Sequence, residues 1–188
     1  YAYLDAGGTS ANVVQDHAKL YYFVRDETLD GVNDVLKRVE KVAEGAALMT
    51  ETNLSIAYDG QCQSYNANVV LSNILHESLK TLGPIDFKAK ASEYDSRILE
   101  PVYHQKGMVS TDVGDVSWVA PTAQAFIACE PILYPMHSIQ WAKNGKTDIA
   151  HKGIKKAGEV LALTAIKVIT NEDLLNQVQQ SFLQAKEG

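Results

Sequence analysis

The sequence predicts an α/β protein in two parts, residues 1–62 and residues 65–188. The first part contains short stretches of alternating apolar and polar residues around one long stretch with helical spacing. The second part contains several stretches with helical spacing and one short, mostly apolar run. Between the two parts, the segment "DGQCQSYNAN" follows neither pattern, which indicates a boundary.

The first part is predicted to be an incomplete two-layer module in the order strand, strand, helix, strand. Its first strand, Tyr1–Leu4, leads into the turn "DAGGTSAN", where two glycines can adopt backbone angles that other residues avoid. Lys19–Arg25 and Asn53–Tyr58 alternate between apolar and polar residues, as half-buried strands do. Apolar residues recur every three or four positions in Thr28–Met49, which predicts a helix. At least three strands are therefore expected on one side of this helix.

The second part is predicted to be mainly helical. Helices are expected near residues 67–82, where Gly83-Pro84 ends the periodic pattern, and near residues 152–169. A last helix follows Asn171, whose side chain suits the N-cap position. The run Gln124–Cys129 predicts a buried strand, and residues 91–99 are expected to form a short helix.

Composition and charge exclude several functional classes. Apolar residues make up 46% and charged residues 21% of the chain, which is typical of a folded globular protein rather than a disordered one. The net charge is −6, and no basic stripe provides the positive surface that nucleic-acid binding requires. No stretch is apolar over the length of a membrane span, so no membrane partner is expected. Cys62 and Cys129 form no CxxC motif, and we expect reduced thiols in a cytoplasmic protein.

The segment "CEPILYPMHSIQW" places His137 in a loop shortly after the apolar run. An imidazole in this position can serve as a metal ligand. A hydrogen-bonded structural role is the alternative, because a metal site needs several converging ligands. His151, fourteen positions later, precedes a predicted helix, where a cap or helix-start role is as plausible as metal binding. On these residues alone, both interpretations stay open.

Four further polar residues are candidates for substrate or metal contacts. Asp112 and Asp115 lie in the acidic loop "STDVGDVSW", where they can serve a metal or a substrate amine, or cap backbone amides. Asn12 and Arg25 flank the first turn and the second strand. A guanidinium can hold a carboxylate through two hydrogen bonds, and an amide side chain can bind a carbonyl or carboxylate. The alternative for Arg25 is a surface ion pair with a neighbouring acidic residue.

Several segments taken together resemble one enzyme family. "AYLDAGGTSANVVQDHAKLYYFVRD" resembles the lid domain of the dizinc aminoacylase/carboxypeptidase family of amidohydrolases. "STDVGDVSWVAPTAQ", "YPMHSIQ" and "IAHKGIKKAGEVLALTA" look like its p-aminobenzoyl-glutamate hydrolase branch, and within that branch like the B-type chain. The resemblance runs in order from Tyr1 to about Val168. The sequence departs from the family at Gln15, where many relatives have proline.

The resemblance implies an architecture. Residues 1–62 would form a partial α+β lid and dimerisation domain, and residues 65–188 the C-terminal part of an α/β, metallopeptidase-like catalytic domain. The family typically dimerises through the lid, so a homodimer is expected. The first strand and helix of the lid and the N-terminal part of the catalytic domain have no counterpart in this sequence. We therefore expect the chain to represent a C-terminal fragment with a cut N-terminus.

The resemblance also implies roles for individual residues. His137 would be the last ligand of a site for two metals, zinc or manganese. Asn12 and Arg25 would hold the substrate's carboxylate, and Asp112 and Asp115 would lie near the cleft. The family's general base and its other metal ligands belong to the part without a counterpart here. No catalytic residue is therefore expected in this chain, and this chain alone is expected to bind no metal.

Two hypotheses from different functional classes follow. The first is a fragment of a metal-dependent amidohydrolase, inactive on its own, that cleaves an N-acyl or N-aroyl amino acid such as p-aminobenzoyl-glutamate, or a dipeptide. Its expected partner is a small-molecule amide substrate. The alternative is a non-catalytic carboxylate-binding or interaction module derived from the same family.

Overall fold

The computed structural model describes residues 1–87, 92–103 and 111–187, and contains two short strands and six helices within these ranges. It divides into two compact units, Tyr1–Ser64 and Tyr65–Gly188. The combination of helices with a small sheet is compatible with the α+β class. Within the described ranges, no helix has the length and apolar character needed to cross a membrane.

The first unit begins with a two-stranded antiparallel sheet. Strand β1, Ala2–Asp5, pairs with strand β2, Lys19–Tyr21. The register pairs Ala2 with Tyr21 and Tyr3 with Leu20, and an irregularity follows before Asp5 pairs with Lys19. The loop of residues 6–18 connects the two strands and contains the predicted Gly-Gly turn. Gly7 and Gly8 have φ angles of 75° and 142°, which confirms that this turn uses backbone angles open to glycine.

Helix α1, Leu29–Thr50, completes the regular structure of the first unit and confirms the predicted helix. Thr28 is its N-cap, and the Thr28 hydroxyl accepts a hydrogen bond from the Gly31 amide at 3.0 Å. The helix ends at Glu51, which has a φ of 53° in the left-handed region. No residue of α1 is buried, and its Leu48 side chain is 82% exposed. The apolar face of α1, which includes Leu29, Val32, Leu36 and Val39, is half-buried in this unit.

The prediction of a third strand in the first unit is wrong. Residues 53–58 are irregular, and the sheet has two strands rather than three. Leu54, Ile56 and Tyr58, the apolar side of the predicted strand, are exposed. Alternation marks a segment that can form a strand, but a strand also needs a neighbour that supplies hydrogen bonds along its length. No such pairing is present for residues 53–58.

The second unit is helical in its described part. Its helices are α2, Val69–Leu82; α3, Val113–Ser117; α4, Ile139–Asn144; α5, Asp148–Ile169; and α6, Glu172–Glu187. The helices predicted near residues 67–82 and 152–169 are confirmed as α2 and α5. Gly83 ends α2 with a φ of 68°, and the Asn171 side chain accepts a hydrogen bond from the Leu174 amide at the start of α6, as predicted.

The core of the second unit lies where α2, α5 and α6 pack against one another. Its buried apolar side chains include Ile74 and Leu75 from α2, Val160 from α5 and Val178 from α6. A buried amide joins two of these helices. Asn68, the N-cap of α2, accepts from the Leu71 amide at 2.8 Å and donates from Nδ2 to the carbonyl of Val178 at 2.9 Å.

The lysines near the start of α5 contact the chain that follows α2. Lys156 donates to the carbonyl of Leu82 at 3.0 Å, and Lys152 donates to the carbonyl of Asp86 at 3.4 Å. A cation is favourable at the C-terminal end of a helix, where carbonyls lack partners within the helix. Lys156, whose side chain is mostly buried, therefore stabilises the end of α2.

Two predictions for the second unit are wrong. Residues 124–129 form no strand, and Phe126 is 90% exposed. Residues 92–99 form a turn and irregular chain instead of a helix, while residue 91 lies outside the described ranges. The apolar character of residues 124–129 suggested burial in a sheet. Within the described part of the second unit, however, no other strand is available to pair with this segment.

Candidate functional site

The predicted site residues fall in both units. Asn12 and Arg25 belong to the first unit, whereas Asp112, Asp115 and His137 belong to the second. All five are exposed. The structure thus brings two candidate substrate-binding residues into one unit and the candidate metal-site residues into the other.

The loop between β1 and β2, residues 6–18, carries Asn12. At the base of the loop, Oδ1 of Asp5 accepts a hydrogen bond from the Gly7 amide at 2.8 Å. A Cβ atom placed on Gly7 would lie 2.2 Å from the carbonyl oxygen of His17, so no larger residue fits there without a shift of the backbone. Near the tip, the Val13 amide donates to the carbonyl of Ser10 at 3.2 Å. Asn12 therefore lies in a turn that local hydrogen bonds hold in place.

The same loop contains His17, which no sequence motif indicated as part of a site. Nδ1 of His17 lies 2.7 Å from Oδ1 of Asp16, and Nε2 lies 3.1 Å from Oδ2 of Asp5. The hydrogen bond with Asp16, followed by that with Asp5, raises the pKa of His17 above 6.5. The sequence "QDH" places one carboxylate beside this histidine, but no local pattern indicates the second, twelve residues earlier.

Hydrogen bonds donated to the two partners of His17 lower the pKa values of their carboxyl groups. The pKa of Asp5 is below its ordinary 3.8, chiefly because the Gly7 amide and then His17 donate hydrogen bonds to the carboxylate. The hydrogen bond with His17 lowers the pKa of Asp16 in the same way. The two carboxylates lie at opposite nitrogens of the ring, so they do not converge on a common point as metal ligands would.

Arg25 lies after β2 and is next to an aromatic pair. Its guanidinium carbon is 5.3 Å from the centre of the Phe23 ring, a distance within the range of a cation–π contact. Phe23 in turn meets Tyr21 edge-on, with ring centres 5.2 Å apart. The Arg25 side chain packs on the Phe23 ring, which Tyr21 supports from the side. The guanidinium stays exposed to solvent and can donate hydrogen bonds to an anionic ligand.

His137 lies at the surface, within the second of two consecutive turns. The Tyr134 amide donates to the carbonyl of Pro131 at 3.0 Å, and the Ser138 amide donates to the carbonyl of Pro135 at 3.3 Å. His137 has a φ of 62°, an uncommon left-handed conformation for a residue with a side chain. The next residue, Ser138, caps α4 by accepting a hydrogen bond from the Trp141 amide. The histidine thus occupies a bend immediately before a helix.

Asp112 and Asp115 lie at the short helix α3. Asp112 is the residue before the helix but makes no capping hydrogen bond with its side chain. The hydroxyl of Thr111 accepts from the Val113 amide instead, at 3.3 Å. The capping alternative for Asp112 is therefore wrong, and its carboxylate faces solvent.

The described residues do not by themselves fit a metal ion. No group of three or more histidine, cysteine, aspartate or glutamate side chains in the described ranges is placed to hold one. His151, the second histidine considered, lies in the first turns of α5, and its amide donates to the carbonyl of the N-cap residue Thr147. This position agrees with the helix-start alternative for His151. Both cysteines are free thiols, as expected.

Comparison with known proteins identifies the family that the chain resembles. The sequence is 31% identical to the B-type chain of p-aminobenzoyl-glutamate hydrolase from Escherichia coli K12 over 225 residues, which cover 98% of this chain and 47% of the relative. The predicted resemblance to this amidohydrolase family is confirmed. A weaker similarity, 26% identity over 94% of the chain, connects it with a Xaa-Arg dipeptidase of Mus musculus, of which 38% is covered. No family model matches the chain.

The chain spans less than half the length of either amidohydrolase relative. The 225 residues aligned with the bacterial relative also exceed the 188 residues of the chain. The aligned region of that relative therefore includes positions that have no counterpart here.

Proposed function

We propose that this chain is part of a metal-dependent amidohydrolase. Its substrate is an N-acyl or N-aroyl amino acid, such as p-aminobenzoyl-glutamate, or a dipeptide. The observation that carries this proposal is the similarity to a component of p-aminobenzoyl-glutamate hydrolase along 98% of the chain. The second relative, named as a dipeptidase, acts on the same kind of bond, because peptides and N-acyl amino acids share an amide. We also propose a cytoplasmic location.

In this proposal, Arg25 and Asn12 bind the carboxylate of the substrate. The exposed guanidinium of Arg25 carries N–H groups in one plane, which match the two oxygens of a carboxylate. Its contact with the Phe23 ring leaves these in-plane groups free to donate. Asn12 lies in an ordered turn of the loop between β1 and β2, where its amide can contribute a further hydrogen bond. Both residues belong to the first unit.

His137 is proposed as a metal ligand in the complete enzyme. Its exposure supports this role, since a ligand must be reachable by the metal. The described residues supply too few ligands for a metal ion, so the remaining ligands must come from elsewhere in the enzyme. Zinc or manganese would activate water for amide hydrolysis. Asp112 and Asp115 are proposed to lie near the same cleft.

The two units correspond, in this proposal, to two functional domains. Residues 1–62 form part of a lid and dimerisation domain, and residues 65–188 form the C-terminal part of the catalytic domain. The division of the chain between Ser64 and Tyr65 supports this assignment.

We further propose that the protein forms a homodimer through the first unit. No residue of this unit, which is described throughout, is fully buried, and its exposed apolar side chains include Tyr3 and Val14. Exposed apolar surface and open strand edges favour association with another chain. Sedimentation at increasing protein concentration should show self-association. A monomer at all concentrations would contradict the proposal.

A non-catalytic carboxylate-binding module is the second candidate. It is favoured by the absence of a metal-binding group among the described residues, together with the exposure of Arg25. The coding sequence that precedes Tyr1 separates the two candidates. His-x-Asp or Cys-x-His and a Glu-Glu pair encoded there would support the amidohydrolase, because these residues can supply the remaining ligands and the general base. A gene that starts at or near Tyr1 would support the binding module.

A further inference from the structure

A side-chain amide closes the loop that carries His137. Asn144, the last residue of α4, donates from Nδ2 to the carbonyl oxygen of Cys129 at 2.8 Å. The two residues are fifteen positions apart, and His137 lies about midway between them. Asn144 is only 7% exposed, so water does not compete strongly for this hydrogen bond. We name residues 129–144 the His137 loop.

The orientation of the Asn144 amide is fixed by a second hydrogen bond. The hydroxyl of Tyr94 donates to Oδ1 of Asn144 at 3.2 Å, which leaves the NH₂ group for the carbonyl of Cys129. Tyr94 is itself buried and stacks on Phe87, with ring centres 4.5 Å apart. Burial, more than nearby charge, raises the pKa of Tyr94, so its hydroxyl keeps its proton and stays a donor. The amide is thus held from both sides.

Other contacts fix the first part of the His137 loop. The amide of Ile132 donates to the carbonyl of Glu93 at 2.8 Å. Gly153 of α5 lies so close to the loop that an added Cβ would be 2.5 Å from Cβ of Cys129. Because the start of the loop is fixed by these contacts and its end by Asn144, the intervening turns have little freedom to move. The left-handed conformation of His137 is retained within this closed loop.

We propose that Asn144 is a positioning residue for His137. Asn144 joins the ends of the His137 loop, and this reduces the conformational freedom of the imidazole before a ligand binds. This inference rests on the proposed function only where it assigns His137 a role in catalysis. The closure of the loop by Asn144 can be tested independently of that role.

The first test is hydrogen exchange of the chain with Asn144→Asp. Aspartate keeps the shape of the side chain but places an acceptor opposite the Cys129 carbonyl. We expect amide exchange in residues 132–140 to rise about tenfold, since the loop opens without unfolding of the unit. Asn68→Asp is the matched control, because Asn68 also is buried and also donates from Nδ2 to a backbone carbonyl. Unchanged exchange in residues 132–140, or an equal rise in the control, would overturn the inference.

The second test measures amide hydrolysis by the complete gene product. Asn144→Asp should lower kcat for p-aminobenzoyl-glutamate about tenfold and leave KM nearly unchanged, whereas Asn68→Asp should change neither at a temperature where both variants are folded. An unchanged kcat for Asn144→Asp, together with loss of turnover in His137→Ala, would overturn the positioning role. Full turnover in His137→Ala would instead show that the proposed role of His137 is wrong.

Discussion

Nε2 of His17 lies 3.1 Å from Oδ2 of Asp5, and this contact joins the end of β1 to the residues just before β2. The other ring nitrogen lies 2.7 Å from Oδ1 of Asp16. A neutral imidazole has one N–H and can donate to only one of these carboxylates, whereas the protonated ring donates to both. The geometry at the base of the loop therefore fits protonated His17.

The first prediction is that the order of this loop depends on pH. The pKa of His17 in the folded state is raised above 6.5. Protonated His17 therefore stabilises the loop fully below pH 6.5, and this stabilisation is lost as the pH rises through the folded-state pKa. The pKa values of Asp5 and Asp16 in the folded state are lowered below 3.8. The stabilisation by these carboxylates is therefore present above pH 3.8 and is lost as the pH falls through their folded-state pKa values. The loop should be best ordered from about pH 4 to about pH 6.5.

An NMR titration of the His17 ring and the Gly7 amide checks this prediction. The ring should titrate with a midpoint above 6.5, and the Gly7 amide signal should follow it, since Asp5 accepts hydrogen bonds from both groups. His17→Gln is the control, because glutamine can donate to a carboxylate but does not titrate. A His17 midpoint at or below 6.5 would contradict the prediction.

The second prediction compares two glycines in the same helix. Gly153 and Gly158 both lie inside α5. A Cβ atom added to Gly153 would lie 2.5 Å from Cβ of Cys129, whereas a Cβ atom added to Gly158 would have no neighbour within 4 Å. Gly158→Ala should raise the free energy of unfolding by about 0.5 to 1 kcal/mol, because alanine favours helix more than glycine does. Gly153→Ala should lower it by about 1 to 3 kcal/mol through overpacking. Urea unfolding measures both. Equal stabilisation by the two changes would mean that α5 does not pack closely on Cys129.

The third prediction compares two helix caps in the second unit. Asn68 caps α2 and also donates to the carbonyl of Val178, whereas Thr147 caps α5 through its hydroxyl, which accepts from the Ala150 amide. Thr147→Ala should lower the free energy of unfolding by about 1 kcal/mol. Asn68→Ala should cost about 2 to 3 kcal/mol, because it removes the cap and also the buried hydrogen bond to the Val178 carbonyl. Thermal or urea unfolding of both variants checks the order. A larger loss for Thr147→Ala would contradict the assigned contacts.

The helices could be predicted from the sequence because helical spacing and capping are local properties. Thr28–Met49 has an apolar residue every three or four positions, and α1 occupies Leu29–Thr50. The strand predicted at Asn53–Tyr58 did not form, since alternation within a segment does not reveal whether a pairing partner is near. Strand prediction therefore failed where it depended on distant parts of the chain.

The same distinction applies to the candidate site. The sequence indicated His137 and Arg25 as single residues, because family motifs and residue chemistry are visible locally. It did not indicate that His17 pairs with Asp5, nor that Asn144 bonds to Cys129, because these contacts join residues twelve and fifteen positions apart. Contacts of this kind depend on the three-dimensional path of the loop, which brings its two ends together. No spacing rule in the sequence specifies them.

The fourth prediction concerns the binding of a carboxylate ligand. Arg25→Ala should weaken the binding of p-aminobenzoyl-glutamate to the chain about threefold to tenfold, because it removes a charge-assisted hydrogen-bond donor near the surface. His137→Ala should leave binding nearly unchanged. Arg38→Ala is a control for loss of positive charge, since Arg38 is an exposed residue of α1. Isothermal titration calorimetry gives the three affinities. Equal weakening by Arg25→Ala and Arg38→Ala would indicate a general charge effect and contradict a specific carboxylate site.

The central claim is that His137 contributes one metal ligand to an amidohydrolase whose other ligands lie outside the described residues. The most direct measurement is the hydrolysis of p-aminobenzoyl-glutamate during a titration with zinc or manganese, for the chain alone and for the complete gene product. The chain alone should show no turnover, because a catalytic zinc usually keeps about three protein ligands. The complete product should show metal-dependent turnover that His137→Ala abolishes without unfolding the protein. Metal-dependent turnover by the chain alone, or full activity of the His137→Ala product, would contradict the claim.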